Sequence, residues 1–225
     1  MRTKWFLGVV IGLGLQLVAS VANAHEIWLE KSENSSVKVY LGEPGTPDSG
    51  EKINGLKNVS VFSDTPDQPL QVVQKDNHWL ATGAESGDVR AAIDDLWQPW
   101  DMEEVPWWQF WRSAKQQGSK LFARAGRQET AAKTAFEFVP LSPEGHRFSL
   151  VFKGNAVANK EVTLLTPEGK ETKLSTNSNG LVDVTENEAG TYMLSAHHSE
   201  DGETEVAGNR VDSVYYVTSL TFSAD

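Results

Sequence analysis

Cysteine is absent from this chain of 225 residues. Its absence excludes disulfide bonds, thiolate ligands for a metal ion and lipid attachment through a cysteine side chain. Histidine and methionine are also scarce, with five and three residues. A transition-metal site in this protein would therefore have to combine a few of those side chains with carboxylates or backbone groups.

Positive charge is in deficit. Lys and Arg number 20 against 31 Asp and Glu, which gives a net charge of −11 at pH 7. Such an acidic surface repels phosphate backbones and favours cationic partners, including metal ions. The composition therefore argues against nucleic acid as a partner.

Long apolar runs are confined to the first 24 residues. Arg2 and Lys4 precede an apolar stretch over residues 5–18, and the small-residue pattern Ala22–Asn23–Ala24 follows it. These three parts predict a removable signal peptide that is cleaved between Ala24 and His25. We therefore expect a periplasmic or secreted protein with no integral membrane segment after cleavage.

The rest of the chain is dominated by short runs of alternating apolar and polar residues separated by Gly, Pro and Asn turn signals. Such runs predict half-buried β-strands, and their spacing favours sandwiches. We expect a mainly β protein with two β-sandwich-like domains. The first covers residues 25–95, and the second covers residues 133–225.

Residues 96–132 have a different character and are predicted to be a Trp-rich helical insertion that belongs to the first domain. Pro106 suits the first turn of a helix that would run to about Ala125, with apolar residues at intervals of three and four. Six large aromatic residues lie within a stretch of 15, namely Trp97, Trp100, Trp107, Trp108, Phe110 and Trp111.

Several sequence features resemble known families. The run over residues 152–164, the turn over residues 175–180 and the segment over residues 189–192 are similar to a transthyretin-like or carboxypeptidase-regulatory-like sandwich. Taken with the segment over residues 25–30, Phe136 to Pro140 and the segment over residues 215–222, they resemble a family of exported bacterial domains of unknown function, which is related to NikM-like components of nickel and cobalt uptake. NikM-like components carry membrane helices, and none is expected here after cleavage. The resemblance therefore implies an exported accessory or metal-binding role.

His25 is the first candidate metal ligand. As the first residue of the mature chain, it would offer its α-amine and its Nδ1 atom to one metal ion in a six-membered chelate. A second histidine would complete a three-nitrogen site suited to Cu(II), or to Ni(II) in tetragonal geometry. The alternative is that His25 is only the residue that signal peptidase leaves first.

Three further histidines could pair with His25. His197 and His198 follow a predicted strand, in which one would face inward and the other outward. The alternative for this pair is a solvated hairpin tip. His78 would lie opposite Trp79 in a strand, and its alternative is a satisfied strand histidine.

Enzyme motifs are lacking. The sequence contains no nucleophile elbow, His-Glu-x-x-His zinc helix or phosphate-binding glycine loop. We therefore expect a protein that is not an enzyme, with a copper-dependent oxidase-like activity at the N-terminal histidine as a minor alternative.

The aromatic cluster admits two interpretations. Its rings could cover the open end of the first sandwich as part of the core. Alternatively Trp97, Trp100 and Trp108 could dock a membrane protein, a glycan or the envelope surface.

The leading hypothesis is thus an exported metal-binding accessory protein for nickel, cobalt or copper, which would serve an inner- or outer-membrane transport component. The alternative is a non-catalytic binding module that docks through its Trp-rich segment.

Overall fold

The computed structural model describes residues 25–32, 35–54, 56–84, 87–109 and 111–225. The expected signal peptide, its cleavage site after Ala24, and Phe110 lie outside the described residues. The prediction of a mainly β protein is confirmed, since the described strands form three sheets. The helical elements described are short: α1 (Glu51–Asn54) and a 3-10 turn (Trp107–Gln109).

Sheet A is built from antiparallel strands in the first third of the chain. Its strands are β1 (Glu26–Ser32), β2 (Ser36–Glu43), β3 (Thr46–Pro47), β5 (Gln71–Gln74) and β6 (Trp79–Thr82). They lie in the order β1-β2-β6-β5, and β3 pairs with β2.

Sheet B is the largest sheet and takes strands from all parts of the described chain. Its strands are β4 (Ser60–Phe62), β7 (Val89–Ile93), β8 (Trp100–Asp101), β9 (Gln116–Ala125), β13 (Glu161–Leu165), β14 (Glu171–Ser175), β16 (Gly190–Val206) and β17 (Asn209–Ala224). The order is β14-β13-β16-β17-β9-β7-β4, with β8 on β9. Strands from residues 25–95 and from residues 133–225 therefore share one sheet.

Sheet C is the smallest. Its strands are β10 (Phe136–Pro140), β11 (Arg147–Phe152), β12 (Asn155–Ala156) and β15 (Leu181–Asp183). Strand β11 pairs with each of the other three.

Two hydrophobic cores lie on opposite faces of sheet B. Val217 of β17 packs in a core with Ile27 of sheet A, whereas Leu220 of the same strand packs in a second core with Phe138 of sheet C. Odd- and even-numbered residues of a strand point to opposite faces. Sheet B is therefore the middle layer, covered by sheet A on one face and by sheet C on the other.

The helix expected from Pro106 to about Ala125 is wrong. Among the residues of this segment that the structure describes, a single 3-10 turn forms near the start, and residues 116–125 are strand β9. This strand pairs with β7 on one side and β17 on the other. Backbone groups that are satisfied from both sides hold the segment extended, whatever helical spacing its apolar residues suggest.

The hairpin of β16 and β17 is longer than the sequence indicated. Strand β16 does not end at Ala196 but continues to Val206, and the turn lies at Ala207 and Gly208. His197 and His198 are consequently paired residues within the strand, opposite Val217 and Tyr216. The interpretation of these histidines as a solvated hairpin tip is wrong.

Candidate functional site

The candidate site surrounds the start of β1, where His25 precedes the strand. The Nε2 atom of His25 lies 2.9 Å from Oδ2 of Asp48. Asp48 reaches this position because the chain turns back after β2 and pairs with it as β3. Gly42 of β2 is paired with Glu26 of β1 and with Pro47 of β3, the residue before Asp48. The backbone N–H of Asp48 then donates to the carbonyl of Leu41 at 2.7 Å.

Gly42 is required for this turn. Its φ is 135°, and a Cβ atom there would lie 2.8 Å from the carbonyl oxygen of Thr46 and 2.9 Å from the backbone nitrogen of Asp48. A side chain at residue 42 would therefore push Asp48 away from His25.

Two further contacts define the surroundings of His25. Trp97 packs against its ring edge-on, with 6.5 Å between ring centroids. The other carboxylate oxygen of Asp48 accepts a hydrogen bond from Lys52 at 2.6 Å. The His25 side chain is 35% exposed and that of Asp48 is 11% exposed, so a partly open ring faces a largely buried carboxylate. Nε2 of His25 is close to Oδ2 of Asp48, but the contact does not have the geometry of a hydrogen bond.

Glu26 follows His25 and points to the opposite side of β1. It is only 7% exposed, and its Oε2 atom has no hydrogen-bond partner among the described residues. Burial raises the pKa of the Glu26 carboxyl to about 7, which the nearby Ser195 hydroxyl partly opposes. A buried acceptor without a donor is costly, so this carboxyl is suited to bind a proton or another positively charged group.

His197 of β16 faces Glu26. Its Nε2 atom lies 3.7 Å from Oε1 of Glu26, and its Nδ1 atom lies 2.8 Å from the hydroxyl of Tyr215. The His197 and Tyr215 rings are stacked, with 5.6 Å between centroids and 14° between planes. Burial lowers the pKa of the His197 imidazole, and Lys173 and Lys160 lower it further. This ring is therefore neutral at pH 7, held in a fixed orientation, and able to offer a lone pair.

The other two candidate histidines lie elsewhere. His198 projects to the face of sheet B that sheet C covers, where its ring centroid is 4.4 Å from that of Phe152. His78 contacts Tyr40 at 5.5 Å, and its Nδ1 atom is 2.9 Å from the side-chain oxygen of Asn77. Of the three, only His197 contacts the residue next to His25.

Side chains alone do not form a metal site in the described residues. In the part of the chain that the structure describes, no group of three or more His, Cys, Asp or Glu side chains is arranged to hold a metal ion. A metal site at His25 would therefore depend on the α-amine that cleavage after Ala24 would create.

Three residues of this site were missed in the sequence: Glu26, Asp48 and Tyr215. Glu26 carried a usable signal, because it shares the face of β1 that bears Trp28, a buried residue. A carboxylate on such a face is unusual. Asp48 and Tyr215 carried none, since strand pairing alone brings them to β1 and β16.

The Trp-rich segment divides into two parts. Trp97 and Trp100 are half-buried, and their rings meet edge-on at 6.1 Å. Trp107, Trp108 and Trp111 are 84%, 56% and 73% exposed. Of the three tryptophans predicted to dock a partner, Trp108 is on the surface, whereas Trp97 contacts His25.

No helix within the described ranges is long and apolar enough to cross a membrane. Comparison with protein-family models, curated proteins and solved structures finds no match to this chain.

Proposed function

We propose that this protein is an exported accessory protein that binds a nickel, cobalt or copper ion through His25 as the first residue of its mature chain. The observation that carries the proposal is the contact of 2.9 Å between Nε2 of His25 and the Asp48 carboxylate. Metal-ligating histidines commonly direct their second ring nitrogen at a carboxylate, which fixes the tautomer and the ring orientation.

The position of Asp48 supports Nδ1 as the nitrogen that would bind the metal. With the ring hydrogen on Nε2, facing Asp48, the lone pair of the His25 ring is on Nδ1. This is the nitrogen that closes a six-membered chelate with the α-amine of the same residue. An α-amine has a pKa of about 7.7–8.0 and gives up its proton to a metal near neutrality at modest cost.

We propose His197 as the second histidine, because it contacts Glu26, the residue next to His25. Glu26 points to the side of β1 opposite the His25 ring, so this pairing requires the N-terminal residue to turn toward β16 when the ion binds. The Tyr215 hydroxyl engages its Nδ1 atom, so its Nε2 atom is the one that remains for a metal, and this atom faces Glu26. His198 lies beside Phe152 on the face of sheet B that sheet C covers, which favours His197 over His198. Two imidazole nitrogens and an amine form a donor set suited to Cu(II), or to Ni(II) in tetragonal geometry.

Charge and resemblance support the same role. The chain carries a net charge of −11, which favours cations over anions at its surface. The segment from His25 to Glu30 is part of the resemblance to the NikM-like group. A membrane transport component that takes up the ion is the partner that this role would require.

The decisive experiment compares two purified forms of the chain. One begins at His25, and the other has a single extra glycine before it. The extra residue converts the α-amine into an amide, a poor ligand, so Cu(II) and Ni(II) should bind about tenfold or more weakly to the extended form. Equal affinity of the two forms would refute the chelate.

The assignment of His197 has its own control. His197→Gln should weaken Cu(II) binding, whereas His198→Gln, its neighbour on the other face of the strand, should leave it unchanged. N-terminal sequencing of the exported protein tests the cleavage site. A mature chain that begins at any residue other than His25 would also overturn the proposal.

A further inference from the structure

A loop between β8 and β9 carries most of the exposed aromatic surface. We call residues 102–115 the Trp finger. Its base is closed by the pairing of Asp101 with Gln116 and by a hydrogen bond of 2.8 Å from the N–H of Met102 to the carbonyl of Lys115. An ion pair between Arg112 and Glu103 also links its two arms.

The tip of the Trp finger has a defined backbone. The N–H of Gln109 donates to the carbonyl of Pro106, and the N–H of Arg112 donates to the carbonyl of Gln109, both at 2.8 Å. Two successive turns therefore place the described residues Trp107, Trp108 and Trp111 in a defined arrangement.

The apolar exposure of the Trp finger is concentrated. Its three tryptophans are 84%, 56% and 73% exposed, and Met102 is 44% exposed. Outside the finger, the exposed large apolar residues in the described ranges are Val73 and Leu141, on separate strands or turns. Single exposed apolar residues are ordinary, but four on one loop indicate an interaction surface.

We propose that the Trp finger anchors the protein to the headgroup region of a zwitterionic lipid bilayer. Indole side chains prefer this region because they combine a large apolar ring with a polar N–H group. The inference does not depend on metal binding at His25.

The charges of the Trp finger and of the whole chain indicate a zwitterionic lipid. No charged residue lies in the tip over residues 105–111, and the flanking Glu103 and Glu104 are balanced by Arg112 and Lys115. The finger is thus neutral, as a zwitterionic headgroup layer is. The net charge of −11 on the whole chain opposes adsorption to anionic lipids.

The ring geometry argues against a glycan as the occupant. Trp107 and Trp108 are neighbours with 5.9 Å between ring centroids, but their planes are at 84°. They do not form a flat platform on which a sugar ring could stack. Apart from the indole N–H groups, Gln109 is the one side chain in the sequence of residues 105–111 with a hydrogen-bonding group. A surface that must bind hydroxyl groups would need more such partners.

Sedimentation with vesicles tests the proposal. The chain from residue 25 to residue 225 contains every described strand and can be used without the preceding apolar stretch. It should sediment with phosphatidylcholine vesicles, and less with vesicles that contain 30% phosphatidylglycerol. Brominated lipids should quench its tryptophan fluorescence.

Two variants locate the contact. The double variant Trp107→Ser, Trp111→Ser should bind at least about tenfold more weakly, because a tenfold change corresponds to about 55 Å² of apolar area and two indoles offer more than that. Leu141→Ser, which removes an exposed apolar residue elsewhere, should bind like the wild type. Circular dichroism checks that both variants are folded.

Three results would overturn the proposal. They are no sedimentation with phosphatidylcholine, unchanged sedimentation of the double variant, and binding to purified envelope polysaccharide through the finger in place of binding to vesicles.

Discussion

A buried ionic cluster between sheets B and C allows a quantitative prediction. Glu137 of β10 accepts hydrogen bonds through Oε1 from Arg90 of β7 at 2.8 Å and from Arg124 of β9 at 2.9 Å. Its Oε2 atom accepts from the backbone N–H groups of Lys133 and Thr134 at 2.8 and 2.9 Å. The side chains of Arg90, Arg124 and Glu137 are each no more than 2% exposed, so solvent does not screen these contacts.

Glu137→Ala should therefore destabilise the protein strongly. The substitution removes a carboxylate that two buried guanidinium groups share. Arg124 would still be paired with Asp88, and Arg90 would still be paired with Glu129. Breaking a buried ion pair by removing one partner typically costs about 3–5 kcal/mol. At roughly 2–4 °C per kcal/mol for a chain of this size, Tm should fall by about 6–20 °C.

The assay is urea unfolding at pH 7.5, followed by circular dichroism, with a surface ion pair as the matched control. Arg147 and Asp183 are paired at 2.5 Å, but their side chains are 57% and 61% exposed. Asp183→Ala should leave the free energy of unfolding close to that of the wild type, because water screens and replaces this contact. The reasoning fails if Glu137→Ala lies within about 1 kcal/mol of the wild type, or if the two variants are equally destabilised.

Three further predictions concern the pH response, a turn and the metal site. Burial raises the pKa of the Glu26 carboxyl to about 7, so between pH 5 and 7 the folded protein holds a proton that the unfolded chain releases near 4.5. The stabilising contribution of Glu26 should therefore fall by about 2 kcal/mol as pH rises from 5 to 7, so in urea titrations the wild type should lose about 2 kcal/mol relative to Glu26→Gln over that range, and an equal pH response of the two proteins would contradict this. Gly126→Ala should lower Tm more than Gly154→Ala, since both residues have positive φ but only a Cβ atom at Gly126 would run into Asp88; equal losses would contradict this. Asp48→Asn should weaken Cu(II) binding by the chain that begins at His25 about 10–100-fold in calorimetric titrations, and an unchanged affinity would remove Asp48 from the site.

Most strands could be predicted because their alternation is local. The run from Val89 to Ile93 coincides with β7, and its odd-numbered residues enter the core between sheets A and B. Phe148 to Phe152 likewise lies within β11. In such segments one face is apolar at every second residue, and burial of that face fixes the strand without knowledge of its neighbours.

Local alternation failed for residues 116–125, which were predicted to be helical and form strand β9. In β9, Leu121 and Ala123 enter one core while Phe122 packs against the other, so both faces are apolar. A strand buried on both faces has no period of two, and a run of apolar residues then fits a helix equally well. The pairing with β17, which decides the outcome, involves residues close to the end of the chain.

The buried ions and the candidate site could not be predicted for a similar reason. Arg90 lies in an alternating run and Arg124 lies in the predicted helix, where charged side chains ordinarily face solvent, yet both are buried because sheet C supplies Glu137. His25 was identified from the chemistry of an N-terminal histidine. Its partner Asp48 depends on the register of β1, β2 and β3, which no local pattern encodes.

The Trp-rich segment connects the two surfaces for which functions are proposed. Trp97 packs on the ring of His25, Trp100 packs on Trp97, and Trp100 belongs to β8, which leads directly into the Trp finger. Composition could not distinguish the half-buried Trp97 and Trp100 from the exposed tryptophans of the Trp finger. The pairing of β8 with β9 decides which of these rings are exposed. If both proposals hold, the finger would keep the metal-binding residue beside the membrane surface. That is where a transport component embedded in the membrane would receive the ion.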